Sequence, residues 1–430
     1  MGSSGSSTRA ESIWSANFIV LCIVNLCQVM GQQMMTTIIP LYAYDLGAAS
    51  GLIGFVTGSF AITALITRPF IAPAFDSYSK KKIFCFASLL ITVCSFLYGI
   101  ANTVPLVIAV RMLHGLAMGC TGPLALALAC ETLPESKMAS GISVFSLAQA
   151  LSQAVGPMTG LYLIGVIGYQ WTFIIAGIAM ACSAALSLTV KENVKIERPK
   201  YKFELSRCFV KAAIPAAILT AITTGANMSI MSFIAIYGGL LGIDQIGLYF
   251  TVNATCLLVT RPFFGKLADK YGYSKVIIPA MCLFALSFVI IAMADTLWMF
   301  LIAAVVGACG FGVVSPLLQA LSMQCVPRKR SGAASATNYT GLDLAMLLGA
   351  TVSGGIAEVF YGTSGNEITG YSDMYLVNVL FVAVALVLFL FMRKFMARNI
   401  ESANKQNEKD EKARLEALAA RKAEAKSSEE

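Results

Sequence analysis

The sequence predicts an all-α integral membrane protein in which twelve transmembrane helices form two six-helix bundles related by an internal repeat. Composition is the first observation, because 57% of the 430 residues are hydrophobic and 13% are charged, which leaves a soluble fold unable to cover its surface. The second is a series of apolar runs of about 20 residues or more, the length that crosses a hydrocarbon core of roughly 30 Å. The third is a repeat, since Thr67-Arg68-Pro69-Phe70 returns as Thr260-Arg261-Pro262-Phe263.

The apolar runs divide evenly between the two halves of the chain. Those of the first half cover residues 15–41, 52–73, 83–101, 104–133, 140–166 and 171–190. Those of the second half cover residues 212–238, 246–267, 275–294, 297–325, 333–361 and 373–396. A charged segment separates the two sets, and a second one follows the last run. We therefore predict a flexible N-terminus (1–12), an N-terminal bundle (13–190), a cytoplasmic linker (191–211), a C-terminal bundle (212–396) and a charged cytoplasmic tail (397–430).

The repeat keeps one register along both halves. Its separation is 193 residues, the difference between positions 261 and 68, and the same separation relates Asp76 to Asp269 and Gly156 to Gly349. A constant separation over so long a stretch indicates that one unit was duplicated. A duplicated polytopic chain predicts two bundles that rock about a site between them.

Charge in the loops predicts the orientation in the membrane. Loops on one side carry basic residues such as Lys80 to Lys82, whereas the opposite loops contain no Lys or Arg. Because short basic loops stay in the cytoplasm, we expect both termini on the cytoplasmic side of a cell membrane, the inner membrane of a bacterium. The net charge of +8 follows from this topology and favours anionic lipid, not nucleic acid, as its counterpart. The acids on the opposite side are Asp45, Asp244, Asp295, Glu367 and Asp373.

The sequence lacks the residue patterns that metal binding, phosphate binding and hydrolysis require. The twelve cysteines are scattered, with no C-x-x-C pair and no metal-ligand spacing. The chain contains no Gly-rich phosphate loop and no hydrolase elbow. We therefore expect no enzymatic activity, no metal and no cofactor, with a proton gradient in place of ATP as the energy source.

The loop after span eight has the sequence Gly265-Lys266-Leu267-Ala268-Asp269-Lys270-Tyr271-Gly272. It resembles the cytoplasmic G-x-x-x-D-[RK]-x-G signature of the major facilitator superfamily, and the resemblance covers the chain from about Ile13 to Phe395. It implies the major facilitator fold and a gate in which a carboxylate at a helix end caps amides or pairs with a cation. The first-half copy has Ala72 and Ser79 at the glycine positions. The residues assigned to this gate are Arg68, Asp76, Arg261, Gly265, Asp269 and Gly272.

Span four resembles a second motif of the superfamily, the R-x-x-x-G of its proton-linked drug exporters, through Arg111-Met112-Leu113-His114-Gly115. At 1.5 Å per residue, Arg111 lies ~11 Å inside the helix end, where a charge is costly and usually serves a pathway. We expect Arg111 to contact an anion or to be coupled to proton movement. The alternative is a structural arginine that ties span four to carbonyls of a neighbouring helix. His114, the only histidine, either titrates near neutral pH or is a hydrogen-bonded core residue.

Span five resembles the G-P-x-x-G motif of antiporters and exporters in the superfamily through Gly156, Pro157 and Gly160. Small residues let helices approach and a proline bends one, so ordinary packing is the alternative explanation. The motif favours export as the direction of transport.

The resemblance implies that spans one, four, seven and ten face a central cavity. Polar residues recur at helical spacing on these spans, which suits an adaptable small-molecule substrate. Hydrogen bonding between helices is the alternative role for many of them. The residues predicted to line the substrate and proton pathway are Arg111, His114, Asp343, Asn25, Gln28, Gln32, Thr223, Asn227, Gln319 and Asn338.

Asp343 is the carboxylate placed near the middle of a span, and it is the candidate proton carrier. A carboxyl group in a cavity of low dielectric constant can load and release a proton as the cavity opens and closes. Two alternatives remain, in which Asp343 pairs with Arg111 or caps a break near Gly341.

These observations predict a secondary active transporter that works by alternating access. Proton-coupled export of a small organic molecule or drug is the first interpretation, in the manner of the twelve-span drug or metabolite antiporters that the chain resembles. A proton-coupled importer of an organic anion is the second, and a non-transporting membrane sensor or scaffold is the third. We expect a monomer in the lipid bilayer.

Overall fold

The computed structural model describes residues 14–133, 138–191, 210–327 and 331–427. In these residues the fold consists of helices without strands, and a short 3₁₀ turn (Lys211–Ala213) leads into α6. The helices are α1 (Ala16–Asp45), α2 (Ser50–Ser77), α3 (Lys80–Tyr98), α4 (Val104–Thr132), α5 (Met138–Ser187), α6 (Ile214–Leu240), α7 (Leu248–Tyr271), α8 (Tyr273–Ala292), α9 (Leu297–Gln324), α10 (Ser331–Ser364) and α11 (Glu367–Ser427).

The eleven helices of the described residues account for all twelve predicted spans. Predicted spans five and six are the two arms of α5, which breaks at Gly168, where φ is 76° and ψ is 172°. Ten helical stretches are long and apolar enough to cross a membrane, with both arms of α5 counted as one stretch, and α7 adds the shorter apolar stretch Leu248–Thr260. The predicted fold class is therefore confirmed, and the chain is a multi-pass membrane protein.

The last helix extends well beyond the predicted span. The sequence predicts a span over residues 373–396 followed by a charged tail, and α11 runs from Glu367 to Ser427 without a break. Ala403 lies past the predicted span and is nevertheless buried. Dense Glu, Lys and Ala favour helix, so the tail extends the helix that precedes it.

Two helices that the repeat relates, α1 and α6, end in the same way. Gly47 follows α1 with φ of 83° and Gly242 follows α6 with φ of 73°. The next amide in each case, of Ala48 or Ile243, donates back to a carbonyl five residues earlier, at 3.0 and 2.9 Å. This is the Schellman ending, which requires a left-handed residue and so favours glycine.

Contacts between helices fall mainly within each half of the chain. In the first half α1 packs on α5 and α2 packs on α4, and in the second half α8 packs on α9 and α6 packs on α10. The halves meet chiefly where α2 crosses α10 and where α5 meets α7. Glycines allow the first crossing, because a Cβ on Gly54 would overlap the carbonyl of Ala350 and one on Gly58 would lie 2.7 Å from the Cα of Leu347.

Alternating helix directions place unlike loops at the two ends of the bundle. We call the end where α1 stops and α2 starts the acidic end, because Asp45, Asp244, Asp295 and Glu367 lie there. The opposite end, where α2 stops and α3 starts, is the basic end. At that end Lys80 forms an ion pair with Glu131, between the start of α3 and the end of α4.

Candidate functional site

Arg111 lies deep in the N-terminal half, on α4, with 2% of its surface exposed. Its Nη2 donates to the carbonyl oxygen of Thr57 at 2.9 Å and its Nε to that of Val56 at 3.5 Å. The guanidinium also stands over the ring of Phe60, 4.7 Å from the centroid. Two carbonyls and a π face on α2 therefore surround the cation, which is the arrangement of the structural alternative stated above.

His114 is one turn further along α4 and is also fully buried. Its Nδ1 and the hydroxyl of Tyr98 are 3.3 Å apart, and that hydroxyl also lies beside Arg111. The other nitrogen, Nε2, has no hydrogen-bond partner in the described part of the chain. A buried polar nitrogen without a partner is costly, so His114 is not a fully hydrogen-bonded core residue in this conformation.

Asp343 lies on α10, in the other half, and is likewise 2% exposed. It precedes Leu347 by four residues, one helical turn, and Leu347 faces Gly58 of α2. Gly58 directly follows Thr57, whose carbonyl accepts from Arg111. Arg111 and Asp343 therefore lie on two helices, α4 and α10, that both pack on α2.

Most of the polar residues predicted on span one form hydrogen bonds to other helices of the N-terminal half. Asn25 donates to the carbonyl of Phe145 on α5 at 3.3 Å, and Gln28 donates to the hydroxyl of Ser88 on α3 at 2.6 Å. Gln32, one turn further along α1, is half-buried. Asn25 and Gln28 thus join helices of one bundle, as the packing alternative holds.

The polar residues predicted in the C-terminal half lie on three helices. The hydroxyl of Thr220 donates to Oδ1 of Asn338 at 3.1 Å, which joins α6 to α10. Thr223 returns its hydrogen bond to its own helix, at Leu219. Asn227 is buried on α6, and Gln319 is half-buried on α9. Nδ2 of Asn338 is buried and has no partner among the described residues, so Asn338 has donor capacity left for a ligand.

The predicted antiporter-like motif packs α5 against α1. A Cβ on Gly156 would lie 2.8 Å from the Cβ of Gln33, and one on Gly160 would lie 3.5 Å from the Cα of Met34. Pro157 between them is buried within α5. The glycines let two helices of the N-terminal half approach closely, as small residues do in membranes.

The predicted cytoplasmic gate lies largely outside the described residues. The helix backbone passes through Arg68, Asp76, Arg261, Gly265 and Asp269, but the structure does not describe their side chains. Gly272 is described, and its φ of 87° turns the chain from α7 into α8. At the matching position of the first half, the side chain of Ser79 caps α3 by accepting from the amide of Lys82.

The sequence did not predict the hydrogen bonds that two acids make across the acidic end. Glu358 and Glu367 of the C-terminal half accept hydrogen bonds from the amide of Gly51 and the hydroxyl of Tyr44 in the N-terminal half. Glu367 is the first residue of α11, where a carboxylate is favoured, and Glu358 lies about two turns before the end of α10. The acids on this side of the chain predicted the orientation in the membrane. They did not predict which residues of the other half would donate hydrogen bonds to them.

Comparison with known proteins identifies relatives over most of the chain. The profile of the Major Facilitator Superfamily matches residues 21–245 and again residues 216–425. The uncharacterized MFS-type transporter MJ1560 of Methanocaldococcus jannaschii is 23% identical over 87% of this chain and 97% of its own length. The multi-drug resistance efflux pump PmrA of Streptococcus pneumoniae is 22% identical over 82% of this chain and 94% of its own.

A solved structure shares the fold. The nucleoside transporter NupG superposes with a TM-score of 0.71 at 15% identity, and the match covers 88% of this chain and 100% of that one. At that identity the likeness concerns the fold alone.

Proposed function

We propose that this chain, which belongs to the Major Facilitator Superfamily and is therefore a membrane transporter of small molecules, exports an organic compound in exchange for protons. Transport proceeds by alternating access, with the substrate bound between the two halves. The proton gradient supplies the energy, and no cofactor takes part. Both termini lie in the cytoplasm, and the chain works as a monomer.

The buried carboxylate of Asp343 is the observation that carries the proposal. Asp343 is buried on α10, and this helix packs on α2 of the other half as well as on α6 of its own half. Carboxylates inside a membrane bundle are rare and usually serve a pathway, and gain or loss of a proton would change the charge carried by α10. Movement of α10 along α2 can therefore be coupled to protonation of Asp343.

The surroundings of Arg111 favour export over uptake of an organic anion. An organic-anion site requires a guanidinium that faces the cavity, whereas Arg111 is 2% exposed and packs against α2. Here Thr57 and Val56 accept two of its N–H groups, and Phe60 covers one face. The efflux activity named for PmrA supports the same direction.

Transport into inverted vesicles tests the proposal. Vesicles from cells that lack other efflux pumps are energised by respiration and offered a panel of lipophilic drugs and metabolites. We expect proton-dependent uptake of at least one compound by the intact chain, loss of that uptake with a protonophore, and loss of at least tenfold in Asp343→Asn. Asp244→Asn, which makes the same kind of substitution at an exposed acid, serves as the matched control. Uptake in right-side-out vesicles instead would reverse the direction and support the importer.

A further inference from the structure

Hydrogen bonds between described residues of the two halves include three at the acidic end, besides those that the hydroxyl of Thr251 on α7 makes to Ala154 and Met158 on α5. Tyr44 donates to Glu367 at 2.8 Å, the amide of Gly51 donates to Glu358 at 3.1 Å, and the hydroxyls of Ser50 and Tyr371 are 3.0 Å apart. In each pair one residue belongs to α1 or α2 and the other to α10 or α11. These contacts must break if the halves separate at this end.

Helix α2 starts without a cap of its own. Its N-cap residue is Ala49, whose methyl group cannot accept a hydrogen bond from the first turn. The missing acceptor comes from the other half, because a carboxylate oxygen of Glu358 accepts from the amide of Gly51. A carboxylate at a helix N-terminus is favoured by the exposed amides and by the helix dipole.

Glycines bring the cap within reach. A Cβ on Gly51 would lie 2.7 Å from the carboxylate of Glu358, and one on Gly354 would overlap the carbonyl of Ser50. The loops at the acidic end carry no Lys or Arg, so the partners of these acids are neutral N–H and O–H groups and not cations. The contact is therefore made of directed hydrogen bonds, which are lost over a small separation.

We propose that Glu358 and Glu367 are the acidic-end gate, a pair of carboxylates from the C-terminal half that close the bundle by capping α2 and binding Tyr44. Glu358 is the positioning residue, because it holds the first turn of α2 in place. When the halves rock apart, α2 loses its cap, and water replaces both carboxylates. The hydrogen bonds alone carry the inference that these residues hold the acidic end closed. The role of the gate in a transport cycle rests on the proposed alternating access.

Hydrogen–deuterium exchange of the full chain in lipid nanodiscs tests the gate without requiring transport. Three variants are compared with the intact protein: Glu358→Ala, Glu358→Gln and Glu367→Ala. In Glu358→Ala we expect severalfold faster exchange in the first turn of α2 and, together with it, around Tyr371 and at the start of α7. Glu358→Gln keeps an acceptor oxygen and should restore much of the protection. Glu367→Ala removes the acceptor for Tyr44 and should speed exchange in α2 as well, although the hydrogen bond that is lost belongs to α1.

Asp244→Asn is the matched control, because Asp244 is an exposed acid at the same end. It should exchange as the intact protein does. Faster exchange confined to the amides next to Gly51 would reduce Glu358 to a local cap and overturn the gate, as would unchanged exchange in all three variants. A chain that shows the coupled opening but moves no compound would keep the gate and defeat the proposed export.

Discussion

Arg111 shows how a single charged residue is accommodated in this bundle. A guanidinium placed in hydrocarbon costs several kcal/mol unless polar groups surround it. The carbonyls of Val56 and Thr57 already serve the backbone of α2, but each has a second lone pair, and these accept from the guanidinium. The residue thus fixes α4 against α2 while it keeps its charge.

Substitution of Arg111 distinguishes this structural role from a role in transport. We expect Arg111→Ala to lower stability by about 1–3 kcal/mol, because a buried set of hydrogen bonds and the contact with Phe60 are lost. Arg111→Lys keeps the charge but not the planar fork, so its stability should fall between those of the intact chain and Arg111→Ala. The unfolding midpoint in detergent measures both, with the exposed Lys82→Ala as control. Unchanged midpoints with abolished transport would assign Arg111 to the pathway instead.

Sequence reasoning found the buried charges but not all of their partners. Arg111 and Asp343 stand out because charged residues are rare within apolar runs. The partners of Asn25 and Gln28 were beyond reach, since Phe145 is 120 residues from Asn25 and Ser88 is 60 residues from Gln28. Helical spacing shows which residues share a face, but it does not show whether that face meets a cavity or a neighbouring helix.

Breaks within helices depend on a few glycines, and Gly168 is the clearest. The apolar sequence continues on both sides of it, yet the chain reverses there between the two arms of α5. A φ of 76° with ψ of 172° is a conformation that residues with a Cβ rarely adopt. The prediction of two spans rather than one long one came from length, because fifty residues of helix far exceed the thickness of a membrane.

Replacement of Gly168 by alanine should therefore strain the turn. We expect Gly168→Ala to lower stability by about 1–3 kcal/mol through backbone strain, although the added methyl group meets open space. Gly165→Ala is the control, because Gly165 is helical and also faces open space, so alanine there should be neutral or slightly stabilising. The unfolding midpoints of the two variants measure the difference. Equal midpoints would show that the turn tolerates other conformations.

The crossing of α2 and α10 depends on close backbone approach. Gly54→Val adds side-chain atoms where the carbonyl of Ala350 already lies, and overpacking of this kind costs about 1–3 kcal/mol. We expect the variant to disfavour closure of the acidic end, with faster deuterium exchange in the first turn of α2. Gly355→Ala, on α10 with open space around it, should behave as the intact protein. Slow exchange in both variants would mean that the crossing can repack around the larger residue.

At the scale of the whole molecule, the fold was predictable because the bilayer restricts it. Apolar length sets the helices, and the repeat at 193 residues, from position 68 to 261, relates the halves. How the halves face each other was not predictable, since contacts such as Gly51 with Glu358 join residues 307 apart. Under the proposed alternating access these contacts form in one state and break in the other, so one sequence permits more than one set of them.

The end of the chain offers the last test, because it separates a transporter from a scaffold. The first turns beyond Phe395 belong to the folded body, since Met396 and Ala403 are buried and Ile400 packs against the core. A chain that ends at Glu408 keeps these contacts, whereas one that ends at Phe395 loses them and should be less stable by at least about 2 kcal/mol.

We therefore expect the chain ending at Glu408 to transport as the full chain does, with an unchanged unfolding midpoint, and the chain ending at Phe395 to unfold at lower temperature. Vesicle transport and thermal unfolding of the two truncations measure this directly. The chain ending at Glu408 could keep its unfolding midpoint and yet lose the effect that the full chain has in cells. In that case the last 22 residues bind a partner. That outcome would favour the scaffold over the transporter that the buried Asp343 supports. A transporter needs the helices that pack in the bundle, whereas a scaffold of this kind needs the residues after Glu408, and truncation at Glu408 tests the two requirements separately.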